Sequence, residues 1–191
     1  EKLSMIPLAV HSGYSLMQGT ASIPALCRHA RNLGYKRLAL TDTDNLYGLW
    51  PFLAACRREG IRPIVGAEVT CPRTGARAVC LVKDAGGYSR LCRLLTERHT
   101  RPGFELASAL GRLCDGLLIL TGDPGLLSAA FEAGGDAAAA MAQKPVPQSF
   151  LLRRLARRLG LPLVAVPGSF FTQPEDFAVH RVLRAVSQNT A

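Results

Sequence analysis

A chain of 191 residues with 48% hydrophobic side chains is long enough for a sizeable core and too apolar for intrinsic disorder. No apolar run approaches the ~20 residues of a membrane span, and the opening EKLSMIPLAV is too short and too weakly charged for a secretory leader, with Met5 the expected natural start. Against 14 Asp and Glu stand 23 Lys and Arg, a net charge of +9 that favours an anionic partner, nucleic acid foremost.

In chain order, IPLAVH (6–11) is expected as a short buried strand and SIPALCRHARNL (22–33) as a helix, with Thr20 or Ser22 as N-cap, Pro24 in the first turn and Gly34 as the stop. KRLALTD (36–42) predicts a strand, and NLYGLWPFLAACRREG (45–60) a helix with Pro51 near its start. IRPIVGAEV (61–69) and ARAVCLVKD (76–84) predict strands, followed by helices at 86–99 and 104–111 and a strand at 115–122. PGLLSAAFEAGGDAAAAMAQ is expected to be mostly helical, and 134–149, with its Ala run and Pro pair, is the least regular stretch. QSFLLRRLARRLG predicts a helix, LPLVAVPG (161–168) a strand, and PEDFAVHRVLRAVSQ (174–188) a final helix. Strands joined by helices imply right-handed crossovers and a parallel sheet, hence an α/β class; periodicity alone leaves open sheet and barrel equally open.

Six cysteines, at 27, 56, 71, 80, 92 and 114, include no C-x-x-C pair. Cys71 and Cys80 sit at a spacing that faces them across a tight hairpin, but several of the others fall within apolar periodicity, so reduced thiols and a cytoplasmic setting are expected. In FLLRRLARRLG, leucines 151, 152, 155 and 159 form one helical stripe, with Arg153, Arg154, Arg157 and Arg158 facing away. That face is read as solvated, with a DNA contact as the alternative.

Parallel α/β architectures put their chemistry at the C-terminal ends of strands. There the strands deliver His11 and Ser12; Thr41 to Asn45; Glu68, inside an otherwise apolar run; Thr121 to Asp123; and Pro167 to Ser169. A carboxylate in a Val/Ile/Ala strand is costly to bury unless paired or bound to a cation. His11, Asp42 and Glu68, ending three different strands, suit Zn²⁺, Mn²⁺ or Fe²⁺. Equally, Asp42 caps the next helix and Glu68 meets an arginine. His29, His99 and His180 fall on helices as surface or packing residues.

The succession AVHSGYSLMQG, ALCRHARNLGYKRLALTDTDNLYGLWPFLAACRREGIRPIVGAEV, LVKDAGGYSRLCRLL, GLLILTG, LARRLGLPLVAV and QPEDFAVHRVLRAV resembles the PHP (polymerase and histidinol phosphatase) domain. More narrowly, it resembles the one that opens the alpha subunit of bacterial DNA polymerase III and its error-prone relatives. The resemblance covers nearly the whole chain. It implies a distorted, TIM-like (β/α)7 barrel, one PHP domain over 1–191, and a parent polypeptide that continues into a polymerase region.

Active members of that family carry a trinuclear metal cluster and hydrolyse phosphoesters. Carried over residue by residue, the resemblance leaves His11, Asp42 and Glu68 as ligands, with Asp123 where a cysteine is usual. Ala9, Thr43, Arg77, Gly168 and Phe170 stand where further ligands are expected. A full cluster is therefore not expected; the cofactor expectation is none, or one Zn or Mn ion, since three protein ligands can hold zinc. The implied function is a structural and interaction module in DNA replication or translesion synthesis. Its expected partners are the polymerase region of the same chain, DNA and a proofreading exonuclease, with no membrane. The alternative is a metal-dependent phosphoesterase or 3′–5′ exonuclease with a reduced site.

Overall fold

The computed structural model describes residues 5–141 and 147–189. The EKLS start, and the part of the irregular 134–149 stretch that lies at 142–146, fall outside the described residues. The fold is mixed α/β, and the chain forms two compact units, one of Glu1–Val65 with Gly168–Ala191, the other of Gly66–Pro167.

In the first unit, α1 (Ile23–Asn32) and α2 (Leu49–Glu59) pack together, burying Leu26, Cys27, Ala30, Phe52, Ala55 and Cys56 with Leu38 and Leu40 of β1 (Arg37–Leu40). Pro24 sits in the first turn of α1, where a missing N–H costs nothing. α2 stops at Gly60, whose φ of +67° lies in the left-handed region that glycine enters without penalty. β1 pairs in parallel with the first half of β2 (Arg62–Thr70), from Arg37 opposite Arg62 to Leu40 opposite Val65.

The expected strand at 6–11 is reduced to one parallel bridge, Val10 with Ser169. The segment still bonds on both sides. Ala39 N–H donates to Pro7 O and Thr41 N–H to Val10 O, while His11 N–H donates to Ser169 O. Pro7 supplies no N–H, so a longer ladder cannot form through it. The last helix, α7 (Asp176–Gln188), begins in this unit after the loop at 168–175.

In the second unit, the later half of β2 pairs with β3 (Arg77–Val82), β3 with β4 (Leu117–Thr121), β4 with β5 (Asp136–Met141) and β5 with β6 (Leu163–Ala165). The first two pairings are antiparallel, correcting the all-parallel expectation. The turn between β2 and β3, closed by Gly75 N–H to Cys71 O, is too short for a crossover. Between β3 and β4 run two helices, α3 (Ala85–Thr100) and α4 (Leu106–Leu113), rather than the single one of a parallel crossover.

The helix expected from 124 onward ends early. α5 (Pro124–Glu132) stops before Gly134 and Gly135, and the Ala run then forms β5 between β4 and β6. Alanine prefers helix, but Ala137, Ala138 and Ala139 are buried as a central strand, so packing overrides local preference. α6 (Pro147–Leu159) precedes β6. All six cysteines are free thiols, Cys71 and Cys80 included.

Candidate functional site

In the first unit, β1 ends by delivering Asp42 under the loop that carries Ser12 and Ser15. Asp42 is 2% exposed, and its carboxylate accepts three hydrogen bonds. Oδ1 accepts from the Ser12 backbone N–H at 2.7 Å and from Ser15 Oγ–H at 2.6 Å; Oδ2 accepts from Ser12 Oγ–H at 2.8 Å. A carboxylate has about four lone-pair positions, so this one is largely committed to protein donors. Charge-assisted bonds of this kind offset the cost of burying it. Asp42 caps no helix: the residue before α2 is Gly48.

Ser15 is the hub that sequence reasoning missed. Its hydroxyl donates to Asp42, and its oxygen accepts from Thr43 N–H at 3.1 Å and lies 3.3 Å from His11 Nδ1. With the hydroxyl hydrogen so used, the Ser15 oxygen is left to accept from an N–H at His11 Nδ1. The loop is closed at Gly19, where a Cβ would lie 1.9 Å from Ser12 O, so only glycine allows this approach.

His11 is 1% exposed and stacks on Phe170, with ring centroids 4.5 Å apart and planes 9° from parallel. Phe170 in turn meets His180 of α7 at 5.2 Å. His180 Nδ1 lies 2.6 Å from Gln18 O, which ties α7 back to the loop of Ser12 and Ser15. A Cβ on Gly168 would come within 3.0 Å of the Phe170 ring. A side chain at 168 and an aromatic ring at 170 therefore compete for one space, and this chain has the ring. Ala9 and Val10 are buried apolar residues on the same strand-like segment.

In the second unit, Glu68 is 7% exposed, and its Oε1 accepts from Arg77 across the β2–β3 pair at 3.2 Å. The Arg77 carbonyl accepts from Thr121 Oγ–H at 2.9 Å. Asp123 caps α5, its Oδ1 accepting from Leu126 N–H at 2.9 Å, and it lines a cleft of about 400 Å³ with Cys71, Glu105 and Leu126. Each of these carboxylates has a protein partner that a single sequence can supply.

Among the described residues no group of three or more His, Cys, Asp or Glu side chains could hold an ion. Asp42 is held by hydroxyls and an amide, Glu68 faces a guanidinium, and Asp123 is a helix cap. Among the described residues no buried side-chain nitrogen or oxygen is left without a partner. The four residues named as ligands thus fall into two groups, His11 and Asp42 linked through Ser15 in one unit, Glu68 and Asp123 in the other.

The PHP domain family matches residues 7–156. The chain is 29% identical over 96% of its length to the DNA polymerase III subunit alpha of Bacillus subtilis, and 31% identical over 96% to the error-prone DNA polymerase of Symbiobacterium thermophilum. It spans about a fifth of the length of these curated relatives, 19% and 21%. A solved structure from Bifidobacterium adolescentis, provisionally designated a metal-dependent phosphoesterase, superposes with a TM-score of 0.62 at 15% identity, covering 88% of this chain and 87% of that one. At that identity the likeness speaks for the fold alone. No helix among the described residues is long and apolar enough to cross a membrane.

Proposed function

The chain belongs to the PHP domain family, and from that premise we propose that it is a PHP module of a DNA polymerase III alpha-type protein, with a structural and interaction role and no phosphoesterase activity of its own. The observation that carries this reading is the Asp42 network. The carboxylate that would serve a metal instead accepts three hydrogen bonds from Ser12 and Ser15, and a ring at position 170 stacks on His11. Phosphoester hydrolysis on this kind of scaffold draws its transition-state stabilisation from metal ions clamping attacking and leaving oxygens. A site built of hydrogen-bonded serines and a stacked phenylalanine offers no such clamp.

Within this reading the ligand positions Ala9, Thr43, Arg77, Gly168 and Phe170 have passed to packing and ion pairing, and His11, Asp42, Glu68 and Asp123 serve as structural polar groups. The (β/α)7 barrel belongs to the same proposal: the segment bridged at Val10 would supply a seventh strand beside β1 to β6. So do the cytoplasmic setting, in keeping with six free thiols, and the partners, a polymerase region, DNA and a proofreading exonuclease.

The test is an activity assay on the 191-residue chain. It is incubated with Mn²⁺ or Zn²⁺ and either bis-p-nitrophenyl phosphate or a 3′-labelled oligonucleotide, beside Glu68→Ala and Asp42→Ala. The proposal expects all three proteins to match the metal-only blank. Turnover by the parent that vanishes in both variants would establish the phosphoesterase reading instead.

A further inference from the structure

The four arginines of α6 are set apart from the other arginines of their unit. Arg73, Arg77, Arg90, Arg93, Arg101 and Arg112 each meet a carboxylate, and Arg98 meets the Thr70 hydroxyl. Arg153, Arg154, Arg157 and Arg158 are exposed and form no ion pair among the described residues, and α6 contains no acidic side chain.

The helix geometry gathers them. At ~100° per residue, the four guanidinium groups and Phe150 fall within an arc of about 140°. Phe150 is 72% exposed on that arc, between Arg157 and Arg154. Leu152 and Ala156, 2% and 0% exposed, point the opposite way into the second unit. From Arg153 to Arg158 the helix advances ~7.5 Å, the axial length over which duplex DNA presents about four phosphate charges.

From this we infer that the outer face of α6 is a binding surface for the sugar–phosphate backbone of nucleic acid, with Phe150 as an apolar contact among the arginines. Planar guanidinium forks match phosphate oxygens two at a time, and none of these four needs to leave an existing partner to do so. A lipid surface fits less well. Helices that lie on membranes insert a broad apolar face, whereas here Leu152 and Ala156 are buried within the protein and only Phe150 and Leu151 are left exposed beside the four arginines. The inference stands on α6 alone and uses no residue of the Asp42 network, so it survives or fails independently of the phosphoesterase assay.

The experiment is fluorescence anisotropy of a labelled 30-base-pair duplex of arbitrary sequence, titrated with the 191-residue chain across a salt series. The α6 variant is R153Q/R154Q/R157Q/R158Q. A charge-matched control, R28Q/R37Q/R57Q/R62Q, removes exposed arginines from the other unit. The expected result is a loss of at least ~10-fold in affinity for the α6 variant, with the log–log salt slope reduced by about 3 to 4, against less than ~3-fold for the control. The half-variants R153Q/R154Q and R157Q/R158Q each lose about half the slope, which keeps the test informative if the quadruple variant misfolds. Equal weakening by the α6 and control variants, or no duplex binding by the parent, overturns the inference. So does loss of binding to 3:1 phosphatidylcholine–phosphatidylserine vesicles in the α6 variant while duplex binding is unchanged; that would assign the face to a membrane.

Discussion

Ser15 Oγ lies 2.6 Å from Asp42 Oδ1 and 3.1 Å from the Thr43 amide nitrogen, so a single hydroxyl joins the loop after His11 to the end of β1. It is a structural bond between two buried residues, 0% and 2% exposed. Ser15→Ala removes one of the two donors to Asp42 Oδ1 and the acceptor of the Thr43 amide, at an expected cost of ~1–3 kcal/mol in urea unfolding. Asp42→Asn places an amide where three donors converge and is expected to cost as much or more. Unchanged urea midpoints in both variants would show that the network is not needed for folding.

Phe170 is expected to hold His11 and His180 in place rather than to occupy an idle position. Removing its ring in Phe170→Ala forfeits both ring contacts and is expected to cost ~1–3 kcal/mol. Gly168→Asp would press a side chain into the ring. Its cost should shrink markedly when combined with Phe170→Ala, a non-additivity that a double-mutant cycle on thermal or urea melts reads directly.

Glu68 and Arg77 form the corresponding pair in the second unit, with the carboxylate buried and the guanidinium half exposed. Arg77→Ala takes a cationic partner from a buried carboxylate, whereas Glu68→Gln removes the charge itself. The first is expected to destabilise by ~1–3 kcal/mol, and the double variant to recover part of the loss. Additive single effects would mean that the pair is not coupled.

Glu97 on α3 gives a pH signature. The Arg112 hydrogen bond and charge, with Arg101 alongside, hold its carboxyl below the ordinary value of 4.5, against a smaller opposing effect of burial. A folded-state value lower than the unfolded one means that the stabilisation is present above pH 4.5 and is lost as pH falls through the folded value. Glu97→Gln should therefore be less stable than the parent at neutral pH, with the gap closing below about pH 4.5. A gap that stays constant from pH 7 to pH 3 would contradict this.

Much of the architecture was legible because it rests on local signals. Gly60 after α2, Pro24 in α1 and the apolar periodicity of α3 and α6 each fix an element within its own stretch of chain. β5 was not legible, since DAAAAM carries helix-favouring residues and becomes a strand only between β4 and β6; the Gly134–Gly135 break was its one local sign. The antiparallel turn at Cys71–Ala76 was signalled by two strands with no helix between them. At the candidate site, the alternative partner of Glu68 proved to be Arg77, nine residues along and therefore open to inference. Ser15 was hidden because its role depends on where the loop from Ser12 to Gly19 folds over Asp42, which no periodicity records.

Under the proposed function, Asp42 belongs to a hydrogen-bonded structural core and not to a metal centre. The most direct measurement is metal content by elemental mass spectrometry, on the 191-residue chain dialysed against Zn²⁺ or Mn²⁺ and then desalted, beside Asp42→Ala and Glu68→Ala. The expected result is far less than one ion per chain, with no difference among the three proteins. One retained ion per chain that disappears in both variants would contradict it.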